Sequence, residues 1–270
     1  MKIPLFVVDA FTSRRFGGNP AAVCPLESWL PEKTLQSIAA ENNLSETAFF
    51  VGRRGHYELR WFTPTAEVDL CGHATLASAY VAFEELQAQG TELIFITRSG
   101  PLKAVRQGSG FALDFPLWPL GDYPVFNALT EALGDAAPEA VFTAGTNDYL
   151  AVFKTEAEVL ALVPDFDEIS ALDRKGLIVT APGDTVDFVS RYFAPRWGIP
   201  EDPVTGSAHC ALAPYWGRRL EKRSLTARQI SKRGGDLTCV LEGDRVIIGG
   251  GAVLYAQGLI TLDVPAPVLS

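Results

Sequence analysis

"RYFAP", residues 191–195, repeats "RWFTP", residues 60–64, keeping arginine, an aromatic residue, phenylalanine, a small residue and proline at an offset of 131 (191 less 60). The echo continues downstream. Six residues separate the first block from "CGHA" at 71–74, and nine separate the second from "TGSA" at 205–208, so the second copy carries three extra residues. "RSGPLKAVRQG" at 98–108 then matches "RGGDLTCVLEG" at 233–243, and a fainter pairing links "GGNPAAV" at 17–23 with "GTNDYLAV" at 145–152. Three blocks in one order point to a duplicated scaffold, a signal to be sought before any secondary structure is assigned.

Each copy reads as the same string of elements. In the first, the β-rich "IPLFVVDAF" and "NPAAVC" precede a helix, "PEKTLQSIAAENN", whose Leu35, Ile38 and Ala39 follow helical spacing. "TAFFVG" and "HYELRWF" meet at Gly-Arg-Arg-Gly, a hairpin signal. The second copy offers "AEVLALV", "GLIVTAP" and "VDFVSRYF" in the same order. In both, a loop ends at a glycine and a small-residue apolar run begins, "HATLASAYVAFEEL" and "SAHCALAPYWGRRL", which reads as a buried helix.

The expected fold class is therefore α+β: two pseudo-symmetric lobes, 1–116 and 117–270, each a barrel-like mixed β-sheet wrapped around a central apolar helix. The last strand is left free to cross back to the first lobe. Pockets favour such interfaces. Two helix N-termini, at 72–74 and 206–208, would meet there from opposite sides, and their unpaired N–H groups and positive dipole ends suit an anion.

The chain has 270 residues, 47% of them hydrophobic, enough for one large core or two ordinary ones. Its formal net charge of -9 argues against nucleic acid, which is held by clustered Lys and Arg. No stretch reaches the roughly 20 apolar residues of a membrane span. The first residues run into a strand pattern instead of a signal-peptide core, so a soluble, cytoplasmic protein with no membrane partner is expected. The four cysteines, Cys24, Cys71, Cys210 and Cys239, lack paired spacing for a disulfide framework or a zinc ribbon.

A duplicated scaffold reveals chemistry where its copies disagree. Glu46 of "NLSETAFFV" falls opposite Leu177 of "KGLIVTAP". Strand alternation sets Glu46, Ala48 and Phe50 on one face. Glu46 then either opens an inward apolar row, as a desolvated carboxylate fit to take and return a proton, or sits at the strand mouth capping the 42–45 turn. Cys71-Gly72-His73 stands against Thr205-Gly206-Ser207. A two-thiol racemase would carry a second cysteine at 205, and in its absence Cys71 reads as a small core residue before it reads as a base. His73, its pKa depressed by the helix start, is either a neutral donor or acceptor in the site or a satisfied structural histidine. Glu201 and Asp202, bracketed by prolines, either cap a turn or mount a proton donor rigidly. By the repeat, His209 and Cys210 lie inside the second helix, which leaves no metal set with Cys71 and His73.

Together "GGNPAAV", "NLSETAFF", "DLCGHAT" and "PEDPVTGSAH", in this order and over nearly the whole chain, resemble the PhzF-like (phenazine biosynthesis) family within the diaminopimelate epimerase-like fold. The resemblance implies an isomerase without metal or organic cofactor, often a homodimer, in which a glutamate moves a proton within a small carboxylate-bearing substrate. It makes Glu46 the acid/base, His73, Asp202 and Ser207 the other side chains of the site, and Gly72 and Gly206 the amides that receive the carboxylate. Two other readings remain: an epimerase or racemase using Cys71, and a non-catalytic small-molecule binding or interaction protein on the same fold.

Overall fold

A computed structural model describes residues 1–263, so residues 264–270 of the expected second lobe lie outside the described residues. The first part of the chain runs β1 (Lys2–Ala10), β2 (Asn19–Leu26), α1 (Glu32–Asn42), β3 (Glu46–Arg53), β4 (His56–Phe62), β5 (Glu67–Val68), α2 (Gly72–Tyr80), β6 (Glu92–Thr97), β7 (Gly100–Gln107) and β8 (Gly110–Pro116). There follow β9 (Leu120–Tyr123), α3 (Asn127–Ala132), β10 (Ala140–Ala144), β11 (Asp148–Val152), α4 (Glu156–Ala161), α5 (Phe166–Ala171), β12 (Gly176–Pro182), β13 (Phe188–Ala194) and β14 (Ile199–Glu201). α6 (His209–Leu220), β15 (Ser224–Gln229), β16 (Gly235–Glu242), β17 (Arg245–Gly250) and β18 (Ala252–Thr261) complete the described chain. No helix among the described residues is long and apolar enough to cross a membrane.

One pairing scheme occurs twice. β1–β2, β3–β4, β4–β5, β6–β7 and β7–β8 are antiparallel, while β2–β3 and β4–β6 are parallel. In the same order, β10–β11, β12–β13, β13–β14, β15–β16 and β16–β17 are antiparallel, and β11–β12 and β13–β15 parallel. β8 and β17 pair with each other and join both sets into one sheet. β9 pairs with β10, and the last described strand crosses over: β18 returns to lie along β1 from Lys2 to Ala10.

α2 is buried from Gly72 to Ala79, a burial that its small side chains permit. Its hydroxyls bond back onto the helix backbone, Thr75 Oγ1 to Cys71 O at 2.6 Å and Ser78 Oγ to Ala74 O at 2.7 Å, so neither hydroxyl is stranded in the core. β3 is covered on both sides. Ala48 and Phe50 join the core around α2, whereas Phe49 packs with Leu35 and Ile38 of α1.

The duplicated arginines explain their motif. Arg60 of β4 grips Glu67 of β5 through two hydrogen bonds of 2.7 and 2.6 Å. Arg191 of β13 grips Glu201 of β14 through two of 2.8 and 3.1 Å. Each guanidinium also lies over the phenylalanine of its own motif, Phe62 at 5.2 Å and Phe193 at 4.9 Å. Bidentate pairs of this kind fix geometry, and here they fix the short strands from which the chain enters the two helix starts.

α6 contains Pro214, which has no N–H to offer the carbonyl of Cys210. That carbonyl is taken instead by the amide of Trp118, at 2.9 Å, in the segment joining β8 to β9. The second helix start departs from the sequence expectation: the regular helix begins at His209, and Gly206–Ala208 form a tight turn in which His209 N donates to Gly206 O and Cys210 N to Ser207 O, both at 3.0 Å.

Candidate active site

Glu46 is the first residue of β3 and stands opposite Ala21 of β2 in a parallel pairing. His73 is the second residue of α2, and Asp202 directly follows β14, where its amide donates to Tyr192 O at 3.0 Å. The start of α2 and the turn that leads into α6 nearly touch. A methyl group added to Gly72 would lie 3.4 Å from Gly206 Cα and 3.6 Å from the Ser207 amide nitrogen, and one added to Gly206 would lie 3.3 Å from the ring of Phe11. A side chain at 72 would thus meet the facing backbone, and one at 206 would press on the Phe11 ring. Both glycines line a cavity of about 400 Å³ together with Glu46, Cys71, His73, Asp202 and Ser207, and Tyr192, Trp197 and Ile199 complete one wall.

Glu46 Oε2 and His73 Nε2 face each other at 3.2 Å, but their alignment falls short of a hydrogen bond, and both atoms are buried without a partner. Burial, reinforced by the charge of Asp202 and opposed by a hydrogen bond from Cys71, raises the Glu46 carboxyl to about 8. His73 is pushed down to about 3 by burial, so the contact joins a neutral imidazole to a carboxyl group poised near neutrality and is no ion pair. Asp202 is raised by burial to about 6, against stabilising hydrogen bonds from Thr205 and Asn19.

Cys71 is buried yet lines the cavity, with Sγ 3.5 Å from His73 Nδ1. The residue is packed in the core, as the sequence suggests, and its thiol side also borders the cavity. Burial and the Glu46 charge hold its pKa well above the ordinary value, so it stays protonated. Glu46, Cys71 and His73 each offer one donor atom within 4.8 Å of the others. Such a set suits a thiophilic divalent ion only once the thiol has ionised, which its surroundings oppose.

The paired acids of "PEDP" part company. Glu201 is engaged by Arg191, whereas Asp202 turns into the site, accepting from Asn19 Nδ2 at 2.8 Å and from the Thr205 hydroxyl. His209 lies in the core with Nδ1 2.9 Å from Thr205 O. Sequence reasoning missed Asn19, which is fully buried between the two halves, and Gln229, whose Nε2 donates to Asp202 O and whose Oε1 accepts from the Thr205 amide, both at 2.8 Å. A signal for Asn19 was present: the faint "GGNPAAV" and "GTNDYLAV" pairing aligns it with Asn147, which lines the same cavity.

Known proteins share this arrangement of strands and helices. The model of the phenazine biosynthesis-like protein family PhzC-PhzF matches residues 8–258. A protein of Pseudomonas aeruginosa named as an uncharacterized isomerase is 51% identical over 97% of this chain and 100% of its own. A crystal structure of a phenazine biosynthesis protein of the PhzF family from Enterococcus faecalis superposes with a TM-score of 0.94 at 49% identity, covering 97% of this chain and 100% of the other. A hydroxyproline epimerase from Agrobacterium vitis, at 13% identity and a TM-score of 0.63 over 98% of this chain and 94% of its own, shares the fold alone. The α+β, diaminopimelate epimerase-like fold expected from the sequence is thus the fold of this chain.

Proposed function

The chain belongs to the phenazine biosynthesis-like PhzC-PhzF family, and on that premise we propose that it is a cofactor-independent isomerase that moves a proton within a small carboxylate-bearing substrate. The observation that carries this reading is the buried, unpartnered pair of Glu46 Oε2 and His73 Nε2, 3.2 Å apart, facing a cavity at which two glycine-bearing turns meet. The substrate carboxylate is held by amides of 72–74 and 206–208, with the Ser207 hydroxyl beside them, where helix-start N–H groups favour negative charge. Glu46 removes a proton from an adjacent carbon and redelivers it, since a carboxyl near pKa 8 both accepts and releases protons at neutral pH. His73 and Asp202 orient the neighbouring substituent and stabilise the charge that develops on it. No metal or organic cofactor is needed for such a transfer.

The cleft lies between lobes 1–116 and 117–270, descended from a duplicated half. The proposed setting is the cytoplasm, where the four unpaired thiols stay reduced. A homodimer is supported by β18: its ten residues carry no charge, Tyr255 and Leu259 are exposed, and among the described residues only β1 pairs with it. Sedimentation of the full chain checks the dimer.

Incubating candidate carboxylates in deuterated water and following both deuterium incorporation and product by NMR tests the activity. Wild-type protein should form product, Glu46→Gln should lose about 10²–10⁴-fold, and Cys71→Ala should lose less than about tenfold. A Cys71→Ala loss equal to that of Glu46→Gln would move the base to the thiol and favour an epimerase. Binding without product in every case would favour a non-catalytic binding protein.

A further inference from the structure

Asn19 opens β2 at the point where the two halves meet, and its side chain has one more neighbour than it has protons. Nδ2 lies 2.8 Å from Asp202 Oδ1, 2.9 Å from Val204 O and 3.2 Å from His73 Nδ1. An amide NH₂ carries two protons and its nitrogen accepts none. Rotating the amide by half a turn would set its oxygen against a carboxylate and a carbonyl that only accept, so the orientation is fixed by its surroundings. Its Oδ1 is left buried without a partner, the cost of that orientation.

The Asp202 carboxylate and the Val204 carbonyl take the two protons. His73 Nδ1 is left facing a nitrogen with no lone pair to give. A proton on Nδ1 would aim a donor at a donor, and the other polar side chain beside it among the described residues, the thiol of Cys71 at 3.5 Å, is a weak acceptor. An unprotonated Nδ1 removes that donor-to-donor conflict with the amide. We propose that Asn19 is a positioning residue that holds His73 as the Nε2–H tautomer, with bare Nδ1 toward Asn19 and Cys71 and Nε2–H toward Glu46 and the cavity. This rests on the isomerase reading only for its consequence, which is that His73 donates a hydrogen bond to the substrate and leaves proton removal to Glu46.

Nitrogen NMR of the full chain with ¹⁵N-labelled histidine, without ligand, tests the proposal. Only three histidines, His56, His73 and His209, contribute, and the signals missing from His73→Gln identify the ring. Around pH 7 to 8 the wild-type ring should show a lone-pair Nδ1 and a protonated Nε2. In Asn19→Asp, an oxygen replaces the NH₂ at nearly constant shape, and the ring should become the Nδ1–H tautomer or an imidazolium. A wild-type Nδ1–H ring, or a folded Asn19→Asp protein with the wild-type pattern, would overturn the proposal. Should Asn19→Asp fail to fold, the wild-type spectrum decides alone. These spectra need no substrate, so failure of the tautomer assignment and failure of the isomerase reading, judged by deuterium exchange and product, are separate results.

Discussion

Glu46 keeps its proton in the folded chain up to about pH 8, against an ordinary value of 4.5. Between those values the folded state binds a proton that the unfolded chain has released, so stability falls as pH rises through the window. Asp202, at about 6, acts in the same direction from 3.8 upward. His73, at about 3, and His209, at about 4, act oppositely: below 6.5 the unfolded chain takes up protons that the folded chain refuses, and stability is lost as pH falls. Above 6.5 only the Glu46 contribution of these four remains. At about 1.4 kcal/mol per pKa unit, wild type should lose about 2 kcal/mol of unfolding free energy between pH 6.5 and about pH 9. Glu46→Gln, which has no charge to bury, should lose far less, so denaturant unfolding at both pH values should show the variant gaining on wild type in alkali. An equal loss in both proteins would mean that Glu46 ionises freely.

At the scale of elements, α2 has no room to spare. Ala77 is fully buried, and enlarging it to leucine should cost about 1–3 kcal/mol through overpacking, read as a lower denaturant midpoint. Leu76→Ala, at an equally buried site, should cost about 2–5 kcal/mol through the cavity it leaves. These helices were legible because small apolar runs after a loop and a glycine admit few other readings. The start of α6 was less so, since a tight turn and a helix share the sequence "TGSAH" and differ only in which carbonyl the next amide selects. Asp202 and Glu201 illustrate the same limit. Both are acids between prolines, and the choice between them was made by Arg191, ten residues earlier in the chain, which claims Glu201. Glu46 was legible because its counterpart is Leu177, whereas Asn19 and Gln229 were obscured because their partners lie on distant segments.

Across the whole molecule, the return of β18 to β1 means that the first half does not complete its sheet from its own residues. The repeat in the sequence announced two similar halves, but periodicity carries no information on which edge a terminal strand will choose. Unfolding should accordingly proceed as one transition by both fluorescence and calorimetry. The segment joining β8 to β9 passes through Trp118, whose amide occupies the carbonyl that Pro214 leaves open in α6. A proline, by withholding one amide from its own helix, thereby creates a socket that moors the connecting segment to α6. Replacing Pro214 by alanine should let α6 close its own ladder and cast the mooring off, with faster hydrogen exchange at the Trp118 amide as the trace.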